Sequence, residues 1–390
     1  MSRLDQFTAN WNYPTNIRQG IGRIKELPQI CRELGMTAPL LITDPGLVDL
    51  PIVIGALKHC RDAGLDCQAF AEITSNPTEH NVSDGVAAFK QGKHDGVIAF
   101  GGGSALDAAK AVALMVGQDR PLWDFEDIGD NYTRVNVAAM APVVAVPTTA
   151  GTGSEVGRAS VITDPEQHIK RLIFHPKMLP EIVILDAELT VGLPPHLTAA
   201  TGMDAFSHAL EAYCAPYYHP MAEGIALQAI RLIKLYLRRA TQNGDDLEAR
   251  AQIMVASTMG ATAFQRGLGA MHALAHPLGA LYNSHHGLLN AILMPYVLKA
   301  NQQAIERPIE RLARHIELDN ASFAGFLTWV LELRAELGIQ HSLADIGIDT
   351  KQAELVAQMA VADPSAGTNP ISFSATQYRE IFIAAVNGKL

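Results

Sequence analysis

The sequence predicts an α/β domain with a Rossmann-like, mostly parallel sheet over residues 1–190, followed by an all-helical domain over residues 191–390. Three observations lead there. Up to about residue 190, short runs rich in Val, Ile and Leu alternate with helical stretches. Beyond Pro194 such runs cease, and apolar residues recur at three- and four-residue spacing. Between the two regimes lies 191–195 (VGLPP), whose paired prolines interrupt regular structure. A chain of 390 residues also suits two cores better than one.

The predicted strands are 39–43 (PLLIT), 68–73 (QAFAEI), 96–100 (GVIAF), 142–146 (PVVAV) and 181–186 (EIVILD). Each is short and bounded by Gly, Pro, Asp or Asn, as buried parallel strands are. Residues 51–63, 81–91 and 105–115 read as helices between them. In the second half, 221–239 (MAEGIALQAIRLIKLYLRR) ends in a basic turn that matches a helix C-terminus. Segments 247–264, 305–315, 322–337 and 376–386 share its spacing. There is no internal repeat. The cleft between the two domains is the expected site.

Composition narrows the function classes. With 48% hydrophobic and 18% charged residues, the chain is globular rather than disordered. A net charge of −10 without a basic stripe argues against nucleic acid as a partner. No apolar run reaches the roughly 18–20 residues that span a bilayer, and 1–14 (MSRLDQFTANWNYP) lacks the apolar core of a signal peptide. The cysteines (Cys31, Cys60, Cys67, Cys214) have no CxxC spacing and read as reduced structural thiols, so the cytoplasm is the expected address.

Two glycine-rich turns follow predicted strands. Gly101-Gly102-Gly103-Ser104 joins 96–100 to a helix, so its backbone N–H groups can meet a phosphate and Ser104 can cap the helix. Alone, GGGS is also an ordinary tight turn. After 142–146 comes Pro147-Thr148-Thr149-Ala150-Gly151-Thr152-Gly153-Ser154-Glu155, and both turns fall at the carboxyl edge of the sheet, where open α/β sheets bind ligands. Asp44 ends strand 39–43 and suits a ribose hydroxyl while repelling a 2′-phosphate; capping its own turn is the plainer alternative. Lys170 reads equally as a partner of a ligand oxygen or as a solvated lysine.

A second constellation lies in the helical half. Asp204 and His208 are i and i+4 on one helix face (TGMDAFSHALEAY), and so are His272 and His276, with His285-His286-Gly287 after a turn (MHALAHPLGALYNSHHGL). Buried imidazoles need partners, so this cluster reads as a metal site. One carboxylate with three imidazoles suits Fe2+ or Zn2+ better than Mg2+ or Ca2+. Spacing alone leaves open which three histidines ligate.

These motifs together resemble the iron-containing (group III) alcohol dehydrogenase family over nearly the whole length. The matching stretches are LITDPGL around Asp44, SNPT at 75–78, GGGSALDAAK at 101–110, PTTAGTGSEV at 147–156, LTAATGMDAFSHALEAY at 197–213 and GLGAMHALAHPLGALYNSHHG at 267–287. The resemblance implies an alcohol dehydrogenase, passing hydride between a small alcohol and NAD, with the metal as Lewis acid toward the alcohol oxygen. It assigns the metal, Fe2+ or Zn2+, to Asp204, His208, His272 and His286. It places Asp44, Asn76, Gly102, Gly103, Ser104, Thr148, Thr149 and Lys170 at the cofactor. His276 then lies near the nicotinamide and is the candidate proton relay, a helix-packing histidine bonded to backbone being the alternative; His285 receives no role. Homodimers or dimer-based oligomers are implied as well.

One departure concerns the substrate. Residues 264–267 (FQRG) stand where the family commonly has Asn-Ala or Asn-Val before Gly-Leu-Gly. This variant resembles a subgroup that includes bacterial 4-hydroxybutyrate dehydrogenases. Arg266 would hold the carboxylate of such an ω-hydroxy acid, since its planar fork matches a carboxylate at two points; capping the preceding helix or pairing with a surface acid is the alternative. Two rival functions fit these residues less well. A dehydroquinate-synthase-like NAD/metal lyase needs several cations near the metal, and only Arg266 stands out. A catalytically idle binding protein would need neither the quartet nor the glycine turns.

Overall fold

The computed structural model describes residues 9–11, 15–167 and 169–390, so most of the N-terminal stretch read for a signal peptide lies outside the described residues. The chain divides into two compact units. One runs to Thr149 and resumes over Gly153–Gly192; the other combines Ala150–Thr152 with Leu193–Leu390.

In the first unit the elements run β1 (Ala9–Trp11), β2 (Asn16–Gln19), α1 (Leu27–Glu33), β3 (Pro39–Ile42), α2 (Pro51–Asp62), β4 (Gln68–Phe70), α3 (Glu79–Gln91), β5 (Gly96–Gly101) and α4 (Gly103–Met115). Then come β6 (Val143–Pro147), β7 (Ala159–Asp164), β8 (Ile169–Phe174) and β9 (Ile182–Leu185). Seven strands form one sheet in the order β1-β2-β9-β6-β5-β3-β4, and only the β1–β2 pair is antiparallel. β3, β5, β6 and β9 are buried at every residue, which is why they read as unbroken apolar runs. Leu41, Ile98, Phe100, Val144 and Ile184 join Leu27 of α1 and Val53 of α2 in one core.

The antiparallel hairpin β7–β8 was not foreseen. Its first strand alternates half-buried and buried residues, and Lys170 and Arg171 interrupt the second. Such a ribbon carries neither a continuous apolar run nor a turn signal as strong as Asn-Gly. β1 and β2 were missed because they are short and polar.

The second unit holds α5 (Pro195–Cys214), α6 (Pro220–Gln242), α7 (Leu247–Ala263), α8 (Ala270–Tyr282), α9 (His286–His315), α10 (Phe323–Glu336), α11 (Ala353–Ala362) and α12 (Ala375–Asn387). Pro195 is the first residue of α5, a position where a missing N–H costs nothing, so VGLPP both ends one regime and opens the next. α5 is the axis of the unit, buried from Thr198 to Tyr213 except at Thr201. Glycines let three helices close on it. A Cβ at Gly202 would lie 2.1 Å from Leu237 Cδ1 of α6, one at Gly260 of α7 would lie 2.9 Å from Ala205 O, and one at Gly287 of α9 would lie 2.4 Å from Ala200 O. α9 is far longer than the predicted 305–315, because Pro295 within it disguises the pattern. Among the described residues, no helix is long and apolar enough to cross a membrane, and all four cysteines are free.

Candidate functional site

Three helices of the second unit converge on one point. α5 contributes Asp204 and His208 one turn apart, α8 contributes His272, and α9 begins with His286. One donor atom from each lies within 4.8 Å of all the others. The His208 and His272 rings stack at 4.8 Å, and His286 Nε2 lies 3.7 Å from Asp204 Oδ1. Gly287 makes this possible, since any side chain there would push the start of α9 off α5 beside Asp204. Burial works to raise the Asp204 carboxyl, but the neighbouring His208, His286 and His272 outweigh it and hold the group at about 2. Burial, then His208, pushes His272 well below its ordinary value. The result is an ionised carboxylate among imidazole nitrogens, which is the donor set a borderline divalent cation takes. Among the described residues the buried Nδ1 of His208 has no hydrogen-bond partner, so the site's polar demand is not met internally. The residues fit a bound metal.

Two further side chains belong to this group, and neither was singled out from the sequence. Asn290, one turn into α9, donates from Nδ2 to Asp204 Oδ1 at 2.9 Å and sits 3.2 Å from His272 Nε2 and 3.1 Å from His286 Nε2. Glu211, on α5 three residues after His208, is buried and accepts from the Gly269 and Met271 N–H groups at 2.8 and 2.7 Å. It also meets His272 Nδ1 at 2.6 Å. Burial pushes the Glu211 carboxyl up to about 7 against the pull of those N–H donors. The available signal was spacing: Asp204, His208 and Glu211 follow an i, i+4, i+7 pattern, and Asn290 is four residues after His286.

His276 lies at the rim of the group. Its ring stacks on His286 at 5.3 Å and approaches His272 at 5.8 Å, and its Nδ1 is 2.8 Å from Asp363 Oδ2. Its partner is a carboxylate, not backbone. His285 acquires a role that the sequence left blank: it is the N-cap of α9, where its Nδ1 accepts the Leu288 N–H at 3.4 Å.

Arg266 has partners within the protein. Its Nε donates to Tyr217 O at 2.7 Å, its Nη1 donates to Tyr213 O at 3.0 Å, and Glu223 lies 3.5 Å away. The guanidinium closes the carbonyl end of α5, a site that attracts cations, and Glu223 balances its charge. Nε and Nη1 face these partners. The expected cap is real, but it serves α5 and not the preceding helix.

In the first unit the structure gathers most of the other candidates. Gly102 is the N-cap of α4, and no side chain caps that end. Ser104 does not cap the helix as expected; its hydroxyl donates to Ser75 O and ties the GGGS turn to the SNPT turn that holds Asn76. The Thr148 N–H donates to Gly101 O at 2.9 Å, and a Cβ at Gly102 would lie 3.4 Å from Thr149 Cγ2. Gly101 has φ +144°, which lets the turn pass close to Asp44. Asp44 does cap its own turn, Oδ1 accepting from Gly46 N–H at 2.9 Å. Its Oδ2 lies 3.6 Å from where a Gly101 Cβ would stand. Lys170 pairs across the hairpin with Thr163, which bridges to Thr78 at the end of the SNPT turn. Lys170 is half-buried, and burial pushes its ammonium down, with Asp107 opposing.

Asp107 and Lys110, both on the inner face of α4, hold the second turn in place. Asp107 accepts from Ser154 Oγ at 2.5 Å and from Val161 N–H at 3.0 Å, and Lys110 Nζ donates to Ser154 O at 3.0 Å and to Ala159 O.

Comparison with known proteins points to one family. A family model described as iron-containing alcohol dehydrogenase matches residues 14–187, and one described as the Fe-containing alcohol dehydrogenase family, C-terminal, matches residues 198–386. The chain is 38% identical over 381 residues to a 4-hydroxybutyrate dehydrogenase of Cupriavidus necator, covering 95% of this chain and 97% of the relative. It is 36% identical over 361 residues to an NAD-dependent methanol dehydrogenase of Bacillus methanolicus, covering 90% and 93%. A solved 1,3-propanediol oxidoreductase superposes with a TM-score of 0.91 at 34% identity, covering 97% of this chain and 99% of that one.

Proposed function

Because the chain belongs to the iron-containing alcohol dehydrogenase family, we propose that it interconverts short primary alcohols and their aldehydes, with NAD as hydride partner and Fe2+ or Zn2+ held by Asp204, His208, His272 and His286. The observation that carries this reading is the convergence of those four donors within 4.8 Å. When bound, such a cation supplies the Lewis acidity that makes an alcohol hydroxyl easier to deprotonate. The chain's own residues orient and transfer. His276 has Nδ1 engaged by Asp363, which leaves Nε2 to exchange the hydroxyl proton with solvent. The uncapped amide end of α4, through Gly102, Gly103 and Ser104, takes the diphosphate. Thr148, Thr149, Asn76 and Lys170 surround the cofactor's polar groups, and Asp44 Oδ2 accepts from a ribose hydroxyl.

Two points support NAD: the Asp44 carboxylate, which repels a 2′-phosphate, and the NAD-dependent methanol dehydrogenase among the relatives. Those relatives act on 4-hydroxybutyrate, methanol and 1,3-propanediol by their names. With Arg266 engaged by carbonyls and Glu223, the reading favours a neutral short-chain alcohol over an ω-hydroxy acid. The lyase alternative loses its one candidate cation for the same reason. Dimer-based assembly, supported by the family, and a cytoplasmic address, supported by four free cysteines, complete the proposal.

The test is NADH oxidation by metal-stripped and Fe2+- or Zn2+-reconstituted protein, with propanal, butanal and succinic semialdehyde. Metal-dependent turnover is expected, with butanal at least equal to the oxo acid. Full turnover by stripped protein, or none by reconstituted protein with any aldehyde, overturns the reading.

A further inference from the structure

A divalent cation held by one carboxylate and three neutral imidazoles keeps a net charge of about +1. Here it would keep that charge among side chains that are largely buried, since Asp204, His208 and His272 are 3%, 4% and 1% exposed. An unbalanced buried charge is costly, so a second anion is needed within reach of the group. Two acids outside the quartet stand close. Asp363 is bonded to His276, which is not a ligand. Glu211 is bonded to His272, which is.

The geometry around Glu211 is specific. A histidine whose Nε2 lone pair faces a cation carries its proton on Nδ1 and needs an acceptor there. His272 Nε2 lies 3.2 Å from Asn290 Nδ2, as His286 Nε2 does at 3.1 Å, so both nitrogens point to the same place. Glu211 Oε2 is the acceptor on the other side of the His272 ring, at 2.6 Å. The same carboxylate is itself held by the Gly269 and Met271 N–H groups at the start of α8, where the helix favours negative charge. A Cβ at Gly269 would come within 2.9 Å of Glu211 Oε1, so the chain keeps a glycine where the carboxylate seats. One helix, α5, thus supplies two ligands and the anion that orients a third.

We propose that Glu211 is a positioning residue of the metal centre: it holds His272 Nδ1 and so fixes that ring with Nε2 toward the cation. This rests on the metal reading above. The competing role is purely structural, since Glu211 also caps α8, and Asn369 provides the control. Asn369 Oδ1 accepts from the Ala270 N–H at 3.0 Å, in the same helix end, and has no bond to His272.

The experiment measures Zn2+ and Co2+ dissociation constants of the full chain by competition with a chromophoric chelator. The absorption spectrum of the Co2+ form and thermal unfolding are recorded alongside. Glu211→Gln keeps the shape and removes the charge; about 10- to 100-fold weaker binding and an altered Co2+ spectrum are expected. Asn369→Ala should lower the unfolding temperature and leave both constants within about threefold, as expected of a site without direct bonds to a ligand. Wild-type constants in Glu211→Gln, or an equal loss in Asn369→Ala, reduce Glu211 to a helix cap and overturn the proposal. Should Glu211→Gln fail to fold, Glu211→Asp carries the test, because it draws the carboxylate back from Nδ1; unchanged constants there overturn the proposal too. An unmodified chain that binds neither ion overturns the metal reading itself, a result distinct from the others.

Discussion

Replacing Gly287 by alanine tests how tightly the helices must approach to build the metal group. Gly287 is the second residue of α9 and directly follows His286. Its added Cβ would lie 2.4 Å from Ala200 O and 3.0 Å from Asp204 Cβ, whereas ordinary contact begins near 3.4 Å. The obstacle is backbone of α5, which cannot swing aside, so the start of α9 must move by about 1 Å. Metal–ligand distances tolerate about 0.2 Å. A displacement several times larger at the residue next to His286 should separate it from Asp204, His208 and His272. The overpacking itself should cost about 1–3 kcal/mol. Metal content after dialysis, by plasma mass spectrometry, and urea unfolding measure the two effects. Gly224→Ala on α6 is the control, because its Cβ would meet nothing within 4 Å; it should be neutral or stabilising by about 0.4–1 kcal/mol. A Gly287→Ala protein that retains about one ion per chain at wild-type affinity would refute the reasoning.

Three other outcomes follow from the same contacts. Asp107→Ala removes the carboxylate 3.3 Å from buried Lys110, leaving it carbonyls and the charge of Glu155, and frees Ser154 and Val161, so about 3–5 kcal/mol of stability should be lost, together with a raised KM for NAD; unchanged denaturant unfolding would contradict this. Asp44→Gly removes the carboxylate that repels a 2′-phosphate, and kcat/KM for NADP relative to NAD should rise by roughly tenfold or more, equivalent to about 1.4 kcal/mol; an unchanged ratio means that Asp44 is not the selector. Arg266→Ala should cost about 1–3 kcal/mol of stability by stripping the carbonyl end of α5, with the ratio of butanal to succinic semialdehyde reduction unchanged. Selective loss of the oxo acid would restore a substrate role to Arg266.

How much of this was legible from sequence depended on whether a local pattern carried the information. β3, β5, β6 and β9 are buried on both faces, and their apolar runs announced them. The β7–β8 hairpin has one wetter face and an alternating pattern too weak to register. Asp204 and His208 share a helix face by periodicity alone. The choice between His285 and His286 could not be read from spacing, because it depends on which residue serves as N-cap and which opens α9; there the family resemblance supplied the assignment. Glu211 and Asn290 went unnoticed because an acid or amide at helical spacing is commonplace. Only the approach of α8 brings Glu211 against His272, and only the approach of α5 brings Asn290 against Asp204. Asp107 and Lys110 form an i, i+3 pair, a spacing common on exposed helix faces, so their burial could not be read from it. Arg266 is near His272 in sequence, yet its hydrogen bonds go elsewhere. Gly267, at φ +130°, turns the chain between it and α8, and the side chain reaches back to the end of α5.

The central claim is that three helices of the second unit bind one catalytic divalent cation. Anomalous diffraction from crystals of the full chain loaded with Co2+ tests it most directly. The expected result is a single strong peak among Asp204, His208, His272 and His286, with imidazole nitrogens at about 2.0–2.1 Å as in related divalent sites and Glu211 still bonded to His272. No peak there, or a peak elsewhere that leaves the four side chains unligated, would contradict the account.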